Sequence, residues 1–313
     1  MTSQDTAIET IEVEEKPKSM LMFLLKLAVS LSILGYLIAQ LDLDSLHKLE
    51  NDVWGPFVLS MGVMLVCIYF MTLRWRYVLE LIEPKRYGVA KLFNFYLIGS
   101  FFNMFIPGSL GGDVLRIYYL VKAYAISKTR AVVSVLIERV AGLFALTLIL
   151  IVSLPFNETV REKLHIHTLE SSLLVMGFVV GIVVAKALLA KKLRLGYVNI
   201  LVILFFSILG QSGDIVISYL FSEYLHLGIS IVQIMSIMPI VFIATVIPIS
   251  LGGLGVREGV MTAGFALYGV AVPDAVLVSF LLYLTKLAVG FLGWFAYLKA
   301  GKVVYHRPVK GSK

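Results

Sequence analysis

The sequence predicts an all-α polytopic membrane protein: about six transmembrane helices plus two re-entrant helical hairpins in an inverted repeat. Three observations predict this fold. Apolar residues make up 59% of the 313 residues, charged residues 15%, and the mean hydropathy is +0.92. A soluble domain would hold about half apolar and about a quarter charged residues. Second, apolar runs recur at the length of about 20 residues that a helix needs to cross hydrocarbon. Third, one short motif occurs twice, as IPGSLGGDVLR at 106–116 and IPISLGGLGVR at 247–257, identical at seven of eleven positions with a constant offset of 141.

In chain order, residues 1–19 are polar and acidic (Glu9, Glu12, Glu14, Glu15) and read as a disordered cytoplasmic tail. Residues 20–300 read as a single transmembrane domain, and 301–313 as a basic cytoplasmic tail. Six plain spans are expected at 20–40, 53–73, 131–153, 171–190, 197–220 and 274–299. The first run is long enough to span and lacks a small-residue cleavage site, so it is not read as a signal peptide. Regions 88–126 and 229–270 each hold two apolar arms around a copy of the motif. Their second arms, 114–126 and 256–270, are short for a crossing, which favours hairpins that enter and leave on one side. The single cysteine, Cys67, excludes an intrachain disulfide and a thiolate metal cluster.

Charge placement selects the topology. With hairpins, seventeen basic residues, Arg74 and Arg76 among them, fall at one face and three (Lys48, Arg161, Lys163) at the other. Letting each first arm cross fully gives about thirteen to nine, a much weaker asymmetry under the positive-inside rule. Both termini are then cytoplasmic, in a cell (inner) membrane. Three spans between the hairpins make them open to opposite faces, an inverted repeat of the kind transporters use. The net charge of +7 is explained by these loops, so no nucleic-acid partner is expected. Trp75, Trp294 and several Tyr fall near expected span ends, as in an interfacial belt. Lys26, Lys91 and Lys186 sit where their stems can snorkel.

Four bases (Arg116, Arg139, Arg257, Lys286) and four acids (Asp113, Glu138, Asp214, Glu258) remain inside apolar segments. Such charges cost from about 2.5 kcal/mol each and persist when paired or beside a wet cavity. Pro107 and Pro248 break helix, and Gly108, Gly111, Gly112, Gly252, Gly253 and Gly255 supply the turning backbone of the tips. A new helix starting near Gly112 or Asp113, with Asp113 as N-cap, would aim free N–H groups and Arg116 at an anion. The alternative is that these glycines are helix-packing contacts. Irregular backbone at membrane depth needs protein or water around it, so the tips should meet inside. Glu138 and Arg139 point about 100° apart on a helix and need separate partners. Arg116 or Arg257 is expected for Glu138, and Asp113 or Glu258 for Arg139. Asp214 and Lys286 line the path or pair with each other. Asn103 bonds a headgroup or satisfies broken backbone. Candidate substrate-binding residues are thus Asn103, Asp113, Arg116, Glu138, Arg139, Asp214, Arg257, Glu258 and Lys286.

His165 and His167 lie in a loop, and Asn157-Glu158-Thr159 is a glycosylation sequon. No P-loop and no catalytic or metal-binding set of recognisable spacing stands out, so no enzyme activity, cofactor or metal is expected.

FFNMFIPGSLGGDVLR, then LIERVAG at 136–142, then PISLGGLGVREG resemble the transmembrane region of the lysylphosphatidylglycerol synthase family, the flippase-like membrane proteins. The likeness runs over nearly all of the chain after residue 20. It implies a membrane domain that moves lipids with modified headgroups between leaflets. The motif positions it marks are Asn103, Pro107, Gly111, Gly112, Asp113, Arg116, Glu138, Arg139, Pro248, Gly252, Gly253, Arg257 and Glu258. Full synthases carry a soluble aminoacyl-transferring domain after this region. With the chain ending at Lys313, lipid synthesis is not expected, and stand-alone relatives look like carriers of varied lipids, polyprenyl-phosphate-linked ones included. The expected function is a lipid translocase acting on lipids with anionic or zwitterionic headgroups. The alternatives are an ion or small-solute transporter, and a non-transporting partner of a glycosyltransferase or lipid-modifying enzyme.

Overall fold

The structure, a computed structural model, describes residues 52–105, 111–165, 196–246 and 255–300, with isolated positions between 167 and 176. The expected tails, the span at 20–40 and nearly all of 171–190 lie outside the described residues. So do the hairpin tips with Pro107, Gly108, Pro248, Gly252 and Gly253. Every regular element among the described residues is helical. They are α1 (Trp54–Ile82), α2 (Val89–Phe105), α3 (Gly111–Tyr124), α4 (Lys128–Ser153, continued by a 3-10 turn Leu154–Phe156), α5 (Glu158–Leu164), α6 (Tyr197–Tyr224), α7 (Ile231–Val246), α8 (Val256–Ala266) and α9 (Val272–Ala300). Four of them, α1, α4, α6 and α9, are long and apolar enough to cross a bilayer. The chain is a multi-pass membrane protein.

Local chemistry sets the ends. Ser127 caps α4 by accepting from the Arg130 N–H at 3.3 Å. Pro84 keeps Glu83 extended and stops α1. That stop comes nine residues after the expected end of the span at 73, which is a correction with consequences. Trp75, Val78 and Leu79 recur at helical spacing and are fully buried, so the helix continues through Arg74 into the protein interior. Arg74 is therefore a core residue and leaves the loop tally; sixteen to three still describes the same asymmetry. Trp75 is not interfacial: its indole N–H donates to Ser134 Oγ at 3.1 Å. Trp294 stays half-exposed and stacks on Tyr297.

The helices flanking each copy of the motif pack on each other, α2 on α3 as a first hairpin and α7 on α8 as a second. The mouth of the first is closed by Gly88 N–H and Lys85 Nζ, which donate to the hydroxyl (3.0 Å) and carbonyl (2.8 Å) of Tyr124. Arg130, in the first turn of α4, reaches Glu83 beside it at 3.1 Å. The mouth of the second lies at the other end of α4. There Asn157 Nδ2 donates to Ser236 Oγ on α7 (2.8 Å) and to the Tyr268 hydroxyl just after α8 (2.7 Å). Because α4 starts at one mouth and ends at the other, the hairpins enter the bundle from opposite ends. Asn157 is 2% exposed with its amide engaged, so the sequon at 157–159 is a structural pin and not an open acceptor.

The 141-residue offset extends beyond the motif. Shifted by it, α1 falls at 195–223 against α6, α2 at 230–246 against α7, α3 at 252–265 against α8, and α4 at 269–294 against α9. The fold is a duplicated unit of span, hairpin and span.

Small residues let these helices approach. A Cβ on Gly112 would lie 2.0 Å from the Gly99 carbonyl oxygen, and one on Gly293 would lie 2.0 Å from that of Leu97. Backbone therefore meets backbone on both sides of α2, against α3 and against α9. Gly293→Val is expected to lower stability by about 1–3 kcal/mol through overpacking. Gly62→Ala, with nothing within 4 Å, should be silent. Thermal melting of the detergent-solubilised protein distinguishes the two.

Candidate functional site

The buried charged residues, Asp274 at the start of α9 apart, gather at one place. A cavity of about 400 Å³ is lined from both hairpins and all four long helices. Its wall includes Asn103, Asp113, Arg116, Glu138, Arg139, Asp214, Arg257 and Lys286, and also Arg74. Glu258 is not in the wall but pairs with Arg257, which is. Arginines from opposite hairpins thus face a common space.

Where the first hairpin meets α1 and α4, three cations share two carboxylates. Glu138 accepts from Arg74 Nε (3.3 Å), from the Tyr96 hydroxyl (3.1 Å) and, through its other oxygen, from Arg116 Nη2. Asp113 accepts from Arg116 Nη1 (3.3 Å) and from Arg139 Nε (2.5 Å). Arg74 also donates to Ser207 Oγ at 3.0 Å. The Arg116 guanidinium is sandwiched by rings, 3.6 Å from the centroid of Tyr96 and 4.1 Å from that of Trp75. Such rings attract a cation most strongly where water is excluded. Glu138 is 2% exposed, so its charge depends on these donors.

The second hairpin is organised differently. Gly255 has φ +82°, a backbone conformation suited to glycine, just before α8 begins. Glu258 accepts from the Gly255 N–H at 2.6 Å, which satisfies a free donor at the helix start, and its other oxygen accepts from Arg257. Arg257 lies 4.9 Å from the Tyr283 ring centroid. Across the cavity, Lys286 Nζ bonds Asp214 Oδ2 at 2.5 Å, joining α9 to α6.

Of the alternatives left open by the sequence, Glu138 takes Arg116, Arg139 takes Asp113, and Asp214 takes Lys286. Arg257 is matched with its own neighbour Glu258, a pairing the sequence reading did not include. Asp113 is not an N-cap but lies within the first turn of α3, which begins at Gly111. The Gly112 N–H is instead met by Asn103 Oδ1 at 2.8 Å, so Asn103 satisfies backbone across the hairpin. Gly111 and Gly112 are helical, and Gly112 serves the close approach to Gly99, the packing role weighed against a turn. Arg74, Tyr96, Trp75 and Tyr283 were missed as site residues. The available signal was the amphipathic continuation of α1 past 73, which carries Arg74 inward.

Removing one partner of a buried ion pair leaves the other charge uncompensated, at about 3–5 kcal/mol. Glu138→Ala, which takes the carboxylate from Arg74 and leaves Arg116 with Asp113, is expected to lower stability by that order. Arg76→Ala, breaking the half-exposed i,i+4 pair with Glu80, should change it by no more than about 0.5 kcal/mol. Melting temperatures of the two variants check the contrast.

The family model described as the lysylphosphatidylglycerol synthase TM region matches residues 23–293. No curated protein matches the chain. The matched region contains both hairpins, the four long helices up to residue 293 and every residue of the charged cavity. The chain therefore belongs to the family of the lysylphosphatidylglycerol synthase transmembrane region.

Proposed function

We propose that this protein is a lipid translocase. In this reading the hairpins are re-entrant in a cell (inner) membrane, with both termini cytoplasmic. A phospholipid or polyprenyl-phosphate-linked lipid places its anionic or zwitterionic headgroup in the cavity while its acyl chains remain in the bilayer. The observation that carries the reading is that Arg116 and Arg257, the one charged position that the repeat keeps identical, line one cavity from hairpins that open to opposite ends.

The chemistry follows from that placement. A headgroup crossing hydrocarbon loses its hydration, and arginine side chains replace water with directed donors for phosphate oxygens. In the family's other motif positions, Asp113, Glu138 and Glu258 balance the arginines when no cargo is present. Glu138 or Asp113 would contact an amine if the headgroup is zwitterionic. Alternating exposure comes from rocking of one hairpin-bearing unit against the other about the shared site. The chain's part is binding and conducting; a role alongside a separate lipid-modifying enzyme or glycosyltransferase is compatible with it.

The test is a proteoliposome assay with fluorescently labelled lipids and dithionite or back-extraction readout. Wild-type protein should accelerate transbilayer movement, and Arg116→Ala and Arg257→Ala should each reduce the rate at least about tenfold, the loss of one directed charge contact. Unchanged movement in both variants, or ion flux with no lipid movement, overturns the proposal.

A further inference from the structure

We infer that the two arginines of the repeat have parted roles: Arg257 seats the headgroup phosphate, and Arg116 is a positioning residue that fixes the first hairpin. The inference rests on the translocase reading and deepens it by assigning the phosphate to one end of the cavity.

At the 141-residue offset Arg116 corresponds to Arg257, but none of the groups that hold Arg116 has a like counterpart. Asp113 corresponds to Leu254, Glu138 to Ser279, Tyr96 to Ile237 and Trp75 to Val216. Both carboxylates and both rings are thus replaced by side chains that offer a guanidinium neither charge nor aromatic face. Ser279, in the place of Glu138, is buried, and its hydroxyl has no hydrogen-bond partner among the described residues. The repeat keeps the arginine and drops its clamp.

The two guanidinium groups are engaged accordingly. Arg116 commits Nη1 to Asp113 and Nη2 to Glu138, and its guanidinium carbon lies 3.6 Å and 4.1 Å from the ring centroids of Tyr96 and Trp75. Glu138, Tyr96 and Trp75 belong to α4, α2 and α1. Swinging Arg116 onto a cargo would therefore undo contacts to three other helices, and parting a buried ion pair is strongly destabilising. Arg257 hydrogen-bonds only its sequence neighbour Glu258 among the described residues and meets one ring, Tyr283, at 4.9 Å. Its carboxylate partner rides on the same turn of α8, so Arg257 can turn to a ligand without separating two helices.

Donor capacity follows the same division. Nε–H is buried without a hydrogen-bond partner in both arginines, but Arg116 has both terminal nitrogens taken, whereas Arg257 has one. The Arg257 side chain is 7% exposed and lines the cavity, so these unmet donors belong to a buried cation beside open volume. A phosphate oxygen is a charged acceptor suited to such donors, and leaving them unmet away from water is costly. Tyr283 and Lys286, one turn apart on α9, continue the wall from Arg257. Lys286, bonded to Asp214, brings a second cation to that wall. The seat recognises the phosphate itself, whether carried by a lipid or free.

The test titrates full-length protein in detergent with phosphatidylglycerol, with diacylglycerol and with inorganic phosphate, reading affinity and the rise in melting temperature that a bound ligand causes. Wild-type protein should bind phosphatidylglycerol at least about tenfold more tightly than diacylglycerol, which lacks the phosphate. Arg257→Gln keeps an amide donor for Glu258; it should melt near wild type while its phosphatidylglycerol affinity falls at least about tenfold. Arg116→Gln should show the opposite split, a lower melting temperature with a smaller loss of affinity than Arg257→Gln. If that variant is not monodisperse, Tyr96→Phe, which keeps the ring and removes a donor to Glu138, loosens the same clamp and should show the same split. Undiminished phosphatidylglycerol binding by Arg257→Gln overturns the inference, as does an equal loss in the Arg257 variant and the clamp variant. Inorganic phosphate that binds as well as phosphatidylglycerol, and loses affinity in Arg257→Gln, supports the seat and counts against a lipid as its source. Translocation is judged separately, by transbilayer movement: its absence with the Arg257 seat intact would sink the translocase reading and not this inference.

Discussion

An ionised side chain taken out of water must find its counter-charge within the protein, and this requirement organises the centre of the molecule. Glu138 alone ties α4 to α1 through Arg74, to α2 through Tyr96 and to α3 through Arg116. Asp113 closes the circle by returning α3 to α4 through Arg139. Helix contacts in a bilayer gain little from the hydrophobic effect, since lipid is as apolar as leucine. Polar pairing of this kind then fixes which helices meet and at which depth. The same charges that hold the bundle together line its cavity, so architecture and candidate chemistry draw on one set of side chains.

Close backbone approach supplies the second constraint. Gly210 and Gly213 of α6 sit against Met71 and Cys67 of α1, and Gly142 of α4 sits against Gln211 of α6. The equivalent helices of the two halves, α1 and α6, therefore pack on each other at the middle of the duplicated structure. Around them the hairpins approach from opposite ends, each pinned at its mouth by hydrogen bonds, to Tyr124 in one case and to Asn157 in the other.

Much of this was legible in the residues. Long apolar runs marked four helices to within a few residues at most ends, because length and hydropathy are properties of the segment itself. The repeated motif singled out both arginines. Complementary counting of buried acids and bases gave the Glu138–Arg116, Arg139–Asp113 and Asp214–Lys286 pairs among its options. Three things were not legible. Arg74 looked like a loop cation because the apolar run ended before it, whereas the buried face through Trp75, Val78 and Leu79 carries the helix onward. The Arg257–Glu258 pair joins sequence neighbours at a helix start, where Glu258 also caps Gly255. The angular argument that separates Glu138 from Arg139 in mid-helix does not hold there. Asn157 read only as part of a sequon, because sequence cannot show that Ser236 and Tyr268 converge on its amide.

The glycine contacts on either side of α2 have a mechanical consequence. Backbone pressed on backbone has no rotamers to exchange, so α2, α3 and α9 form a stiff wedge that includes a span from the other half of the chain. The second hairpin is seated differently: where Gly264 meets α7, its neighbour is the side chain of Ile237, which can turn aside. Sliding should therefore concentrate at that softer seam, and the boundary between moving parts need not follow the line along which the gene was duplicated.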